Sequence, residues 1–243
     1  MIGEFASAVE LAAACGGDDL LMWGAQDLRG RARAWWLGEA VAVACPGLYL
    51  RDRLVVSGPV ADAERLVKHG LAECGPSFGV YGDAGLVAGL SELCGGRVTA
   101  FSWMSAAAAP RPAGPGPGVP AWLEERAGGE VAALLAAHHP ASYAVPGGVG
   151  VRRWAGVRLD GELAAVAADA WSTSGVGFLA GVATAAAWRG RGLAERVCRF
   201  VTRELVAGHG RAALMVDDDN VAAIGVYVRL GFGRRAVAVV RPV

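Results

Sequence analysis

The residues best placed to do chemistry lie in Thr184-Ala-Ala-Ala-Trp-Arg-Gly-Arg-Gly-Leu-Ala-Glu195. Gly190 and Gly192 stand beside Arg189 and Arg191, after the apolar run Val176–Ala183 and before an amphipathic stretch. A strand feeding a glycine-bearing turn that opens a helix exposes unpaired N–H groups at the positive end of the helix dipole. That is a site for an anion, and it suits a diphosphate. Glycine lets the main chain approach phosphate oxygens that a Cβ would hold away. The N–H groups of Arg189, Gly190, Arg191, Gly192, Leu193 and Ala194 are the candidate donors, with the two arginine side chains adding charge. A dinucleotide fold would need a third glycine where Glu195 stands, and an acidic residue ending a strand about 20 residues on. Neither is present.

The spacing Arg189-x-x-Gly192-x-Ala194 is followed by Asn220-Val-Ala-Ala-Ile-Gly-Val-Tyr-Val-Arg-Leu-Gly-Phe232. Together they resemble the signature segments of the GNAT superfamily of CoA-dependent N-acyltransferases. The blocks come in the family's order, separated by a helix and a strand, and the likeness covers roughly the last half of the chain. The resemblance implies an α/β fold with a mixed, mostly antiparallel sheet flanked by helices. It implies acetyl-CoA as acyl donor and direct acetyl transfer to an amine, since no Cys or Ser of the two blocks stands where a nucleophile would be needed. It also implies that the strand before the turn parts from its neighbour at a bulge. Val182, Ala183 and Thr184 would then pair with the pantetheine arm, and a free N–H would polarise the thioester carbonyl. Gly181 is compatible with such a bulge. Two other readings stay open: a non-catalytic CoA-binding regulatory module, and an acyltransferase for a longer acyl group.

The leaving thiolate needs a proton. On a helix opened by Asn220, positions 220, 224 and 227 share a face, because seven residues make nearly two turns. A tyrosine there can reach the sulfur. Its pKa of about 10 exceeds the thiol's roughly 8.5, which makes it a weak acid but a workable donor in a dry site. The family's matching tyrosine is often the general acid, and the resemblance carries that role to Tyr227. A packed helix tyrosine and a helix-capping Asn220 are the plainer readings of the same residues. An amine with pKa near 10 must also lose a proton. Glu162, Asp169, Asp217, His138 and His139 are the candidate bases, and none carries a positional signature. Asp217-Asp-Asp219 lacks the loop pattern of a calcium site, so strand-end and capping duty is its reading and no metal is expected.

The 243 residues suffice for one large domain or two ordinary ones, and 54% of them are apolar against 19% charged. Formal charge is zero, so nothing suggests a nucleic-acid partner. The partner expected is a small-molecule or peptide amine. The five cysteines never form Cys-x-x-Cys, which fits buried thiols in a reducing compartment. The N-terminus lacks a signal pattern and no run approaches a membrane span, so a soluble, cytoplasmic protein without a membrane partner is expected.

Ser105–Pro120 alternates proline and glycine, sustains neither helix nor ladder, and divides a 1–104 domain from a 121–243 GNAT-like domain. Before it, residues 4–15, 60–71 and 84–93 read as helices, and 48–57, 77–81 and 98–104 as strands. Asp19–Leu28 is left as a polar-bounded segment, and 32–44 as partly strand-like. This strand–helix order echoes that of 176–240, which hints at a degenerate copy that has lost its CoA turn. After it, 124–138 reads as a helix. Val151–Leu159 and Glu162–Trp171 form a hairpin about Asp160-Gly161, and the 176–183 strand joins them. The helix over 193–207 puts Leu193, Val197, Phe200, Val201 and Leu205 on one stripe, with Arg196, Arg199 and Arg203 outside. Only one strand fits after Phe232. An edge left bare there must be covered by the N-terminal half or by a second subunit, the latter making a homodimer.

Overall fold

The computed structural model describes residues 1–241; the last two positions of the 121–243 stretch lie outside the described residues. In chain order the elements are β1 (Gly3–Glu4), α1 (Ala8–Ala14), α2 (Asp19–Ala25), β2 (Arg33–Leu37), β3 (Ala40–Leu48), β4 (Arg51–Ser57), α3 (Val60–Cys74), β5 (Gly79–Asp83), α4 (Ala84–Gly89), α5 (Ser91–Cys94) and β6 (Val98–Ala106). There follow β7 (Ala121–Trp122), α6 (Gly128–His138), β8 (Val151–Leu159), β9 (Glu162–Ala170), β10 (Gly177–Thr184), α7 (Leu193–His209), β11 (Ala212–Val216), α8 (Val221–Arg229) and β12 (Gly233–Val240). The architecture is mixed α/β, with mostly antiparallel strands flanked by helices. The segment 19–28 contains α2, a short helix capped by Asp18, whose carboxylate accepts from the Leu20 and Leu21 amides. Among the described residues no helix is long and apolar enough to cross a membrane.

The chain divides into two compact units: Met1–Trp103 with Met215–Asp219 and the segment from Arg234 onward, and Met104–Leu214 with Asn220–Gly233. In the first, strands run in the order β1-β2-β3-β4-β5-β12, with β4 and β5 parallel. Helix α3 lays Ala63, Leu66 and Val67 against Trp35, Leu54 and Val80. Each large aliphatic buried this way is worth about 1.5–3 kcal/mol. The strand that follows Phe232 finds its neighbour in the N-terminal half: Val237, Ala238, Val239 and Val240 pair antiparallel with Asp83, Gly82, Tyr81 and Val80. Arg235 fixes it there, donating to both carboxylate oxygens of Asp83 and, at 2.7 Å, to Asp18.

In the second unit the order is β11-β10-β9-β8-β7, with β10 and β11 parallel. Asp160 and Gly161 both take positive φ, 51° and 84°, as a tight hairpin turn between β8 and β9 requires. Pairing aligns Trp154 with Ala168, and Ala168 with Ala180, so these side chains share one face of the sheet. Helix α7 packs on the opposite face. Its Leu193, Val197, Val201 and Leu205 are fully buried, and Phe200 stacks edge-on against Trp122 at 5.3 Å.

Candidate active site

The candidate site grows from β10. Its antiparallel register with β9 runs Ala180↔Ala168 and then resumes at Ala183↔Val166, so β10 carries one extra residue at Gly181-Val182. That is a β-bulge. Gly181 takes φ +62°, the left-handed region. A Cβ there would fall inside the Trp154 ring and lie 3.1 Å from the Ala144 Cβ, so both space and backbone demand glycine. On its other side β10 pairs with β11 only at Gly177 and Phe178 among the described residues. Past that point the edge bearing Leu179 to Thr184 is released from the parallel ladder. Thr184 keeps a buried Oγ1 without a hydrogen-bond partner, while its carbonyl accepts from Arg189 Nε at 3.3 Å.

From Thr184 to α7 the chain spends eight residues, 185–192, on one short helical turn and the glycine pair. Trp188 N–H donates to Ala185 and Arg189 N–H to Ala186, at 2.9 and 3.3 Å. The amide of Arg189, expected in the anion site, is therefore consumed within the turn. Among the described residues the amides of Gly190, Arg191, Gly192, Leu193, Ala194 and Glu195 reach no acceptor in the protein. Gly192 is the N-cap of α7 at φ +75°, and no side chain caps that helix. The open set runs from 190 to 195, one residue further into the helix than the glycine spacing suggests. Arg189 and Arg191 are exposed beside it, and Arg191 lies 4.8 Å over the Trp188 ring.

Helix α8 opens with Asn220, whose Oδ1 accepts from the Ala223 amide at 3.2 Å; the residue caps its helix. Tyr227 is the buried residue of α8, 7% exposed, with its ring 5.9 Å from that of Phe232. Gly231 at φ +89° ends the helix and lets Phe232 N–H return to the Tyr227 carbonyl at 3.1 Å.

A bulged strand half released from its neighbour, an eight-residue turn and a helix N-terminus with six open amides follow one another along the chain. Residues 155–240 match the family model described as FR47-like protein. No curated protein matches the sequence. Among solved structures, a protein assigned to the GNAT family of acetyltransferases from Novosphingobium aromaticivorans is 25% identical, with 78% of this chain and 86% of that one covered at TM-score 0.52. The GCN5-related N-acetyltransferase of Kribbella flavida is 21% identical, covers 97% and 96%, and reaches TM-score 0.63. That of Sphaerobacter thermophilus is 17% identical over 99% and 94%, at 0.59. The fold is that of the GNAT acetyltransferases.

The GNAT likeness in the latter two covers nearly the whole chain, so it extends over the N-terminal half. The strand–helix passage from β4 to α3 in that half is built differently from that of β10 and α7. The β3–β4 ladder runs unbroken from Val41↔Ser57 to Cys45↔Arg53, and β4 stays paired with β5 at Arg53, Leu54 and Val55. Only Gly58 and Pro59 connect β4 to α3, and proline offers no N–H. This stretch has no bulge in the β3–β4 ladder over 41–45 and no glycine-bearing turn of open amides.

The candidate bases separate by their surroundings. Glu162 is exposed at the hairpin. Asp169 is buried and occupied, accepting from Ser172 Oγ at 2.6 Å and Arg153 Nε at 3.2 Å. Asp217 is exposed and belongs to the first unit, where its neighbour Asp218 binds Ser102 and Arg234. His138 and His139 end α6, just before the loop that lays Ala144 over the bulge. His139 is half-buried, and burial lowers its pKa from the ordinary 6.5. Sequence reasoning did not find Trp154, Ala144 or the ion pair Glu195–Arg229, because each gains its meaning from a partner distant in the chain.

Proposed function

We propose that the chain is an acetyl-CoA-dependent N-acetyltransferase that passes the acetyl group directly to an amine. The single observation that carries this reading is the set of six open amides at 190–195, which follows the released edge of β10 in the chain. In it the amides and Arg189 and Arg191 hold the diphosphate, and Val182, Ala183 and Thr184 line the pantetheine arm. An N–H freed near the bulge polarises the thioester carbonyl, a preorganised donor aimed at developing negative charge. The amine nitrogen attacks the carbonyl carbon and the C–S bond breaks. The thiolate takes its proton from Tyr227, and the amine's proton passes to a base, for which His139 is our assignment. Asn220 keeps its capping place with its side-chain nitrogen available to the pantetheine amides.

The test is release of free CoA thiol from acetyl-CoA across a panel of primary amines, with CoA binding measured in parallel. Turnover is expected, and Tyr227→Phe should lower kcat by about 100-fold or more while CoA affinity stays unchanged. Binding without any thiol release would leave a coenzyme-binding module. Unchanged kcat in Tyr227→Phe would remove the acid assignment alone.

A further inference from the structure

The anion turn contains an apparent contradiction. Glu195 lies in the first turn of α7, with its own amide among the six open ones, yet its carboxylate would repel a bound phosphate. Two guanidiniums answer that charge. Arg199 Nη2 donates to Glu195 Oε1 at 2.7 Å, and Arg229 Nε donates to Oε2 at 2.8 Å. They are not equivalent. The other terminal nitrogen of Arg199 is bound to the Arg111 carbonyl at 3.0 Å, so both of its terminal nitrogens are engaged. Arg229 is bound through Nε alone, and its side chain is 59% exposed. Its two terminal nitrogens carry no partner among the described residues. Glu195 therefore carries, from the last turn of α8 to the first turn of α7, a guanidinium whose outer donors are free.

We propose that Arg229 is a phosphate-binding residue of this site and that Glu195 is the positioning residue that holds it there. The inference rests on the coenzyme reading above and adds a residue to it. The chemistry recognised is a phosphate group, either the diphosphate or the 3′-phosphate of CoA. A guanidinium fixed through Nε presents its remaining N–H groups as a fork that matches phosphate oxygens, and a lysine cannot reproduce that fork. Because Glu195 already offsets one positive charge, the trio of Glu195, Arg199 and Arg229 leaves a single net positive charge beside the open amides.

Binding of CoA, 3′-dephospho-CoA and pantetheine to the full chain, measured by calorimetry, tests this. Arg229→Gln should weaken CoA roughly tenfold and leave pantetheine unchanged. Glu195→Gln decides the positioning role. If the carboxylate only repels phosphate, the variant binds CoA more tightly, and that result overturns the proposal. If it holds Arg229, the variant binds more weakly, and the double variant binds no worse than Arg229→Gln. A loss that disappears with 3′-dephospho-CoA assigns Arg229 to the 3′-phosphate, and one that persists assigns it to the diphosphate. Unchanged CoA affinity in Arg229→Gln ends the inference while the coenzyme site stands. A wild-type chain that binds no CoA ends the coenzyme reading itself.

Discussion

At the scale of single residues, the base is where the proposed chemistry is most exposed to test. His139 follows the last residue of α6, and its amide donates to the Leu135 carbonyl at 2.7 Å. Its own carbonyl accepts from Ser142 at 3.0 Å, which turns the chain back towards Ala144 and the bulge. Burial is the cause of its lowered pKa, and the sign follows from that. Losing solvent disfavours the imidazolium, so the ring is neutral at pH 7 and can accept a proton. The rate with a good amine should therefore hold as pH falls from 8 towards neutrality, apart from loss of free amine. It should then drop through an acid limb lying below about 6.5. His139→Gln should lower kcat by about 100-fold and abolish that limb, with CoA affinity retained. A variant that keeps both the rate and the limb would return the proton to water. The same burial argument explains why sequence could not rank the five candidate bases: spacing carries no information about which carboxylate, like that of Asp169, is already bonded.

Among elements, α7 does more than supply a helix N-terminus. Arg196, Arg199 and Arg203 lie on its outer face as the helical period requires, but the Pro/Gly segment occupies them. Arg203 donates to the Pro110 carbonyl at 2.7 Å and Arg199 to that of Arg111 at 3.0 Å; Arg196 donates to those of Gly114 and Gly118, both at 3.0 Å. Carbonyls left unpaired by a segment that cannot form a ladder are satisfied by fixed guanidiniums, and the segment lies along the helix as a strap. Composition excludes helix and strand over Ser105–Pro120, yet β6 runs on through Ser105 and Ala106 before the strap begins. Composition also says nothing about docking, because the arginines that hold the strap stand some 80 residues away. Elements with local signals were legible: the Asp160-Gly161 hairpin, the glycine-capped α7 and the helix ended by Gly231. Helix α2 was not, being short and marked chiefly by its Asp18 cap. Replacing Arg196 and Arg203 together by glutamine should open the strap to proteinase K within 110–118 while the melting temperature falls only slightly. Unaltered cleavage would show that proline stiffness alone protects it.

For the molecule as a whole, the order of the chain and the membership of its two units disagree, and β12 is the reason. Residues 234–241 belong to the first unit, where Val237, Val239 and Val240 are buried beside β5 and Arg235 engages Asp83 and Asp18. Sequence could mark the segment after Phe232 as a strand in need of a neighbour. It could not name the neighbour, because strand pairing at a separation of more than 150 residues leaves no mark in either strand alone. The arrangement has a mechanical consequence. A chain cut at 120 puts β5 in one piece and β12 in the other, so neither piece holds the complete sheet of the first unit. The piece 121–243, expressed alone, should expose the apolar face and hydrogen-bonding edge of β12 and self-associate. The piece 1–120 should fail to fold cooperatively. Co-expressed, the two should copurify as a one-to-one complex, and Arg235→Ala should weaken it by removing the bonds to both aspartates. Size-exclusion chromatography reads the outcome. A soluble, monomeric 121–243 piece that binds CoA on its own would show that β12 is dispensable to the unit that carries the site, and that the exchange of the last strand serves the N-terminal half alone.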